Sequence, residues 1–214
     1  MLGLVQVTGL IVGIIEFLIA AMAYKFYTKG GKLFEWLKAF AAAVIILGTG
    51  HILCKFIGHG LLNLPKSYAL GVPFKFFGVV LMIYALLKGV EHKRVKEVTI
   101  ATALIGVYFI VASYYTLSIL NVNNTIWFST SHWLFLLLIP WYVAYELYKV
   151  YKASSDETAL IFSIGMILFG LATLANTALL MVGYPMSESM SVEMVIRVIA
   201  EITMLSGFFV AERS

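Results

Sequence analysis

An apolar run of about 18 residues or more is long enough to cross a bilayer as a helix. This sequence carries seven such runs, near residues 4–27, 37–59, 72–87, 98–120, 126–148, 160–182 and 192–210, the third being the shortest and flanked by amphipathic sequence that extends it. Seven runs in 214 residues leave room for little besides short connections, so the chain reads as an all-α integral membrane protein with a single seven-helix transmembrane domain over residues 1–214. Composition agrees: 62% of residues are hydrophobic and 12% charged, and the mean hydropathy is +0.96.

The net charge of +4 does not point to nucleic acid, because the basic residues are sorted by loop. One side holds Lys25, Lys29, Lys32, Lys38, Lys88, Lys93, Arg94, Lys96, Lys149, Lys152 and Arg213; the other holds Lys66. By the positive-inside rule this places the N-terminus outside and the C-terminus in the cytoplasm of a cell-membrane protein, with the lipid bilayer as its first partner. The N-terminal run lacks a basic lead and a cleavage site, so it is expected to be retained as a span. The single cysteine, Cys54, excludes an intrachain disulfide.

The second run has a distinctive feature. His51, Cys54, Lys55 and His59 recur at helical spacing inside it, and a stripe of this kind must face protein or water, because lipid does not solvate ionisable groups. Depth counted at about 1.5 Å per residue puts His51, Lys55, His59, Lys75, His132, Glu193 and Arg197 in the outer half of their spans. Glu201 lies further in, and Glu16 sits near the middle of the first span. The expectation is a polar pocket opening outward, with the cytoplasmic half packed and closed.

Self-comparison suggests a repeat. Tyr24-Lys25-Phe26-Tyr27 resembles Tyr148-Lys149-Val150-Tyr151, and FAAAVIILG from Phe40 lines up with FSIGMILFG from Phe162. The register then sets Lys75 opposite Arg197, and Cys54 and His51 opposite Asn176 and Thr173. Two parallel three-helix units, residues 1–96 and 122–214, around a linker helix at 97–121 are expected. That 3+1+3 layout resembles the small sugar carriers of the SWEET type in architecture only, since their Pro-Gln motif is missing from the corresponding helices. A microbial rhodopsin shares the helix count, but the seventh span offers Arg197 and no lysine for a retinal Schiff base.

Three functional readings follow. In the first, Lys55, Lys75 and Arg197 bind a small anionic or amphipathic ligand. Here His51 and His132 hydrogen-bond or titrate, Asn176 adds a neutral contact, Glu16 and Glu201 are charge partners, and Glu193 and Glu201 hold Arg197. Glu16 either couples protons or pairs with His51 or Lys55 across the helix interface, where Gly9 and Gly13 allow close approach. Such a protein is a small carrier or a sensor that passes its state to a partner membrane protein. The sequence favours the sensor, because its cytoplasmic half is poor in polar residues. In the second reading, His51 and His132 ligate haem or a metal ion, the cations meeting haem propionates. In the third, the chain is a structural subunit of a larger membrane complex. No nucleophile–base–acid set or phosphate-cradling glycine loop is present, so an enzyme acting on a soluble substrate is not expected.

Overall fold

The computed structural model describes residues 3–30 and 34–213, which leaves Lys32 of the positive-inside count outside the described residues. Seven helices long and apolar enough to cross a membrane fill that range: α1 (Leu4–Gly30), α2 (Glu35–Leu61), α3 (Pro65–Gly89), α4 (Val95–Ile119), α5 (Ile126–Ser154), α6 (Glu157–Met181) and α7 (Met186–Ala211). The chain is therefore an integral membrane protein by the length and composition of its helices.

Local chemistry sets the helix ends. Asn63 accepts from the Lys66 amide with Pro65 next to it, which starts α3. Thr125 accepts from the Phe128 amide at the start of α5, and Asp156 from the Thr158 amide at the start of α6. The α6–α7 turn uses Gly183 at φ +90°, a conformation costly for any residue with a Cβ.

Each helix packs on its sequence neighbour, and α7 returns against α1, closing a ring. Because α3 also touches α5 directly, α4 lies outside the seam between them. Only 22% of the apolar stretch of α4 is buried, against 56% for those of α2 and α3. The interior is therefore built mainly by six helices, α1 to α3 and α5 to α7, with α4 adding buried residues such as Phe109 and Leu117.

Small residues bring α1 and α2 close enough to share polar side chains. A Cβ on Gly13 would meet Ile52 at 2.6 Å and the Gly48 carbonyl at 3.1 Å, and one on Gly9 would collide with the Cβ of Lys55. Glycine at these two places lets the Lys55 stem lie flat against α1.

Three stretches are π-helical: Ile52–Gly58 in α2, Tyr115–Ile119 in α4 and Trp133–Leu138 in α5. A π turn widens the helix by one residue and redirects the side chains that follow. Two of these stretches begin immediately after His51 and His132. The one in α5 runs up to Pro140, the residue from which a kink is expected because its ring removes an amide donor. In α2 the hydroxyl of Ser67 donates to the carbonyl of Cys54 inside the wide turn.

Apolar packing falls into two clusters. The larger draws on all seven helices, with Phe109 as the buried member from α4, and includes Phe40, Leu47, Phe135, Phe162, Met204 and Phe208. The smaller sits at the end of the ring where α2 meets α3, and contains Val5, Tyr68, Leu117, Phe128, Leu180, Met186 and Met190.

Candidate functional site

The interior is strongly polar for a membrane protein. Glu16, His51, Lys55, Lys75, His132, Asn176, Glu193, Arg197 and Glu201 are all buried, the least so being Lys75 at 6% exposed. Every residue named from the sequence as a ligand or partner thus points into the ring, and all six interior helices contribute. The cost of burying ions in a low-dielectric interior demands that each find a partner, and the partners define two connected groups.

The first group centres on Glu193. Its Oε1 lies 3.6 Å from the Lys75 ammonium and 3.5 Å from the Arg197 guanidinium, while its Oε2 accepts from the Asn176 amide at 2.7 Å. Lys75 also donates to the Tyr68 hydroxyl at 2.6 Å. That hydroxyl stands 3.3 Å from Nε2 of His132, whose Nδ1 lies 2.9 Å from the Phe128 carbonyl. A carbonyl only accepts, so Nδ1 carries the hydrogen, Nε2 of the neutral ring is the acceptor, and Tyr68 donates to it. The chain of donation runs Lys75, Tyr68, His132, Phe128. The Tyr68 ring is also the contact between two cations: the Lys55 and Lys75 ammoniums each lie 4.0 Å from its centroid. Arg197 rests on Phe169 at 4.0 Å.

The second group is acidic. Nδ1 of His51 lies 2.7 Å from Oε2 of Glu16, which resolves the expected choice of partner for Glu16 in favour of His51. Glu201 is buried on α7, 2% exposed. Among the described residues Glu193 is the carboxylate paired with Arg197. The α7 residues Glu193, Arg197 and Glu201 follow one another at successive turns and join the two groups.

Several buried polar atoms have no hydrogen-bond partner among the described residues: Lys55 Nζ, Arg197 Nε, Asn176 Oδ1, Thr173 Oγ1 and Glu16 Oε1. Beside Lys55 lies a cavity of about 10 Å³, lined by His51, Cys54, Lys55, Tyr68 and Lys75 among others. That is room for roughly one water-sized body.

The expected outward opening is closed in this conformation. Phe128, Leu180, Met186 and Met190 pack across the ring between the polar groups and the α2–α3 end. A cavity of about 420 Å³ lies instead at the Lys-rich tips, lined by Phe26, Trp36, Leu86, Leu147, Phe162 and Phe208 among others. Of the histidines offered as ligands, His132 has both ring nitrogens engaged by Phe128 and Tyr68, and His51 is held by Glu16. Among the described residues no group of three or more His, Cys, Asp or Glu is arranged around a common point. The residues present therefore do not fit a haem or metal centre without breaking the bonds that orient them.

Tyr68 is the member of this buried network missing from the sequence reading, because the hydropathic run of the third span begins four residues later. The signal was the cap: Asn63 followed by Pro65 starts a helix early enough to put Tyr68 and Lys75 seven residues apart on one face. Searches against protein-family models, curated proteins and solved structures find nothing that this chain matches.

Proposed function

We propose that this protein binds a small anion within its six-helix ring, at the cation group formed by Lys55, Lys75 and Arg197, and that it works as a small membrane carrier. The observation that carries the reading is the Lys55 ammonium, 2% exposed and without a hydrogen-bond partner among the described residues. A buried ammonium is costly unless something solvates it, and an anion at the Tyr68–Lys55 cavity does so.

Arg197 Nε is a second unused donor in the same group. Three cations face a single carboxylate there, Glu193. An anion supplies the missing negative charge. Carriage is favoured over sensing by the position of the site, enclosed between two apolar clusters like an occluded substrate. The positive-inside count orients the α2–α3 end outward.

The test is a thermal-unfolding titration of the detergent-purified protein with chloride, nitrate and formate. Binding to the folded state alone stabilises by about 2.7 kcal/mol at a hundredfold excess over Kd. Lys55→Met is expected to remove the anion-dependent rise while leaving a folded protein. Proteoliposomes loaded with the binding anion then release it along its gradient, and sealed vesicles without the protein do not. A midpoint indifferent to all three anions contradicts the proposal.

A further inference from the structure

A layer of aromatic rings walls the cation group off from the Lys-rich end. Phe40 on α2, Phe162 on α6 and Phe208 on α7 are all buried, and their rings meet pairwise. The centroids are 5.9 Å apart for Phe40–Phe162, 6.3 Å for Phe40–Phe208 and 5.2 Å for Phe162–Phe208. Phe40 precedes His51, Phe162 precedes Thr173 and Phe208 follows Arg197, each by eleven residues. That is about 16 Å along a helix, so three helices bring their rings to one level. Leu47, Met166 and Met204 lie on the same helices between that level and the polar groups. Glycines let the layer close: a Cβ on Gly207 would meet the Phe162 ring at 2.9 Å, and one on Gly165 would collide with Met204.

On the other side of the rings lies the cavity of about 420 Å³, with Phe162 and Phe208 in its wall. Its size is that of an ordinary small-molecule pocket, about 300–1,000 Å³, ample for a hydrated anion. The loops of this end carry more Lys and Arg than Asp and Glu, and such a field draws anions to the mouth. We infer that this cavity is the inner vestibule of the anion's path, and that Phe40, Phe162 and Phe208 form the gate between it and the cation group. The inference rests on the carrier reading above and adds the gate of its Lys-rich end. A constriction of apolar rings offers an ion nothing in place of its water, so it seals while closed. With the rings turned aside and the flexible Met166 and Met204 repacked behind them, vestibule and site become one space.

The chain carries its own reporter. Cys54 is the single cysteine, is 1% exposed and lines the small cavity beside Lys55. The experiment follows its modification by 2-sulfonatoethyl methanethiosulfonate, a small membrane-impermeant anion, by mass spectrometry. Inverted membrane vesicles present the Lys-rich end to the reagent, and spheroplasts the α2–α3 end. Phe162→Ala, and separately Phe208→Ala, are expected to raise the rate in inverted vesicles by about tenfold or more, since the rate follows the population of the open gate. The spheroplast rate is expected to stay at the wild-type value. Phe162→Leu and Phe208→Leu keep an apolar filling and are expected to give intermediate rates; two helices and two replacement sizes guard against a variant that fails to fold. Met190→Ala, in the other apolar cluster, is expected to leave the inverted-vesicle rate unchanged. Excess chloride is expected to slow labelling of the gate variants by filling the site.

Wild-type rates in inverted vesicles for all four phenylalanine variants overturn the gate, and leave the anion site standing where chloride still raises the thermal midpoint. A rate that rises equally from both sides also overturns the gate, since the rings then hold the fold together rather than close one end. A rise confined to inverted vesicles that excess chloride does not slow supports the gate and overturns the anion reading.

Discussion

Glu193→Gln removes the carboxylate charge to which Lys75, Arg197 and Asn176 all turn, and changes side-chain volume hardly at all. The Lys75 and Arg197 contacts are 3.6 and 3.5 Å long. At an effective dielectric of about 20, each is worth roughly 5 kcal/mol of attraction before desolvation is subtracted. Losing one partner of a buried ion pair costs about 3–5 kcal/mol, because the remaining charge stays buried. Glutamine still accepts a hydrogen bond, so the loss belongs near the lower bound, at about 3 kcal/mol. Reversible unfolding in mixed micelles with increasing dodecyl sulfate, followed by circular dichroism, measures it. Adding Lys75→Met to Glu193→Gln removes one orphaned cation, and the double variant is expected to be more stable than the sum of the singles by about 1–3 kcal/mol. Stability within about 0.5 kcal/mol of wild type for Glu193→Gln would show that the cations are solvated by something other than Glu193, and the charge count would be wrong.

Tyr68→Phe keeps the ring between Lys55 and Lys75 but deletes the hydroxyl that links Lys75 to His132; a loss of about 2–3 kcal/mol is expected in the same unfolding assay. Tyr68→Leu is expected to lose about 2 kcal/mol more, the worth of a desolvated cation–π contact, and equal losses for the two variants would argue against that role for the ring. Gly9→Ala places a methyl group against the Cβ of Lys55 and is expected to cost about 1–3 kcal/mol and to weaken anion binding, whereas an unchanged protein would contradict the close α1–α2 contact. At the Lys-rich end, Lys25 donates to Glu212 at 2.7 Å with Lys29 at 3.7 Å, and these contacts hold the Glu212 carboxyl below its usual range. A lowered folded-state value means this tie contributes above the ordinary carboxylate range and is lost as pH falls through the folded value. Glu212→Gln is therefore expected to lower the thermal midpoint slightly at neutral pH and not at strongly acidic pH, with molar salt erasing the difference.

The seven helices and the membrane setting were legible because apolar runs of spanning length admit few alternatives. Membership of the polar interior was also legible, since an ionisable residue inside such a run must turn away from lipid. Glu16, Lys55 and Arg197 announce themselves by that argument alone. The pairing was not. Glu193 and Glu201 sit one turn to either side of Arg197 and look equivalent in sequence, yet among the described residues only Glu193 makes an ion pair with it. Which turn of one helix faces which turn of another depends on the close contact at Gly9 and Gly13 and on the π-helical turns after His51 and His132. Neither carries an unambiguous sequence mark. The closure of the α2–α3 end was equally hidden, since Phe128, Leu180 and Met190 read as ordinary span residues until their packing together is seen.

The account stands on an anion being held at Lys55, and the most direct measurement is anomalous diffraction from crystals of the protein grown with bromide in place of chloride. The account predicts a bromide peak inside the ring, within hydrogen-bonding distance of Lys55 Nζ and beside the Tyr68 ring, that is lost in Lys55→Met. Peaks confined to the surface lysines at the helix ends, with none near Lys55, would contradict it.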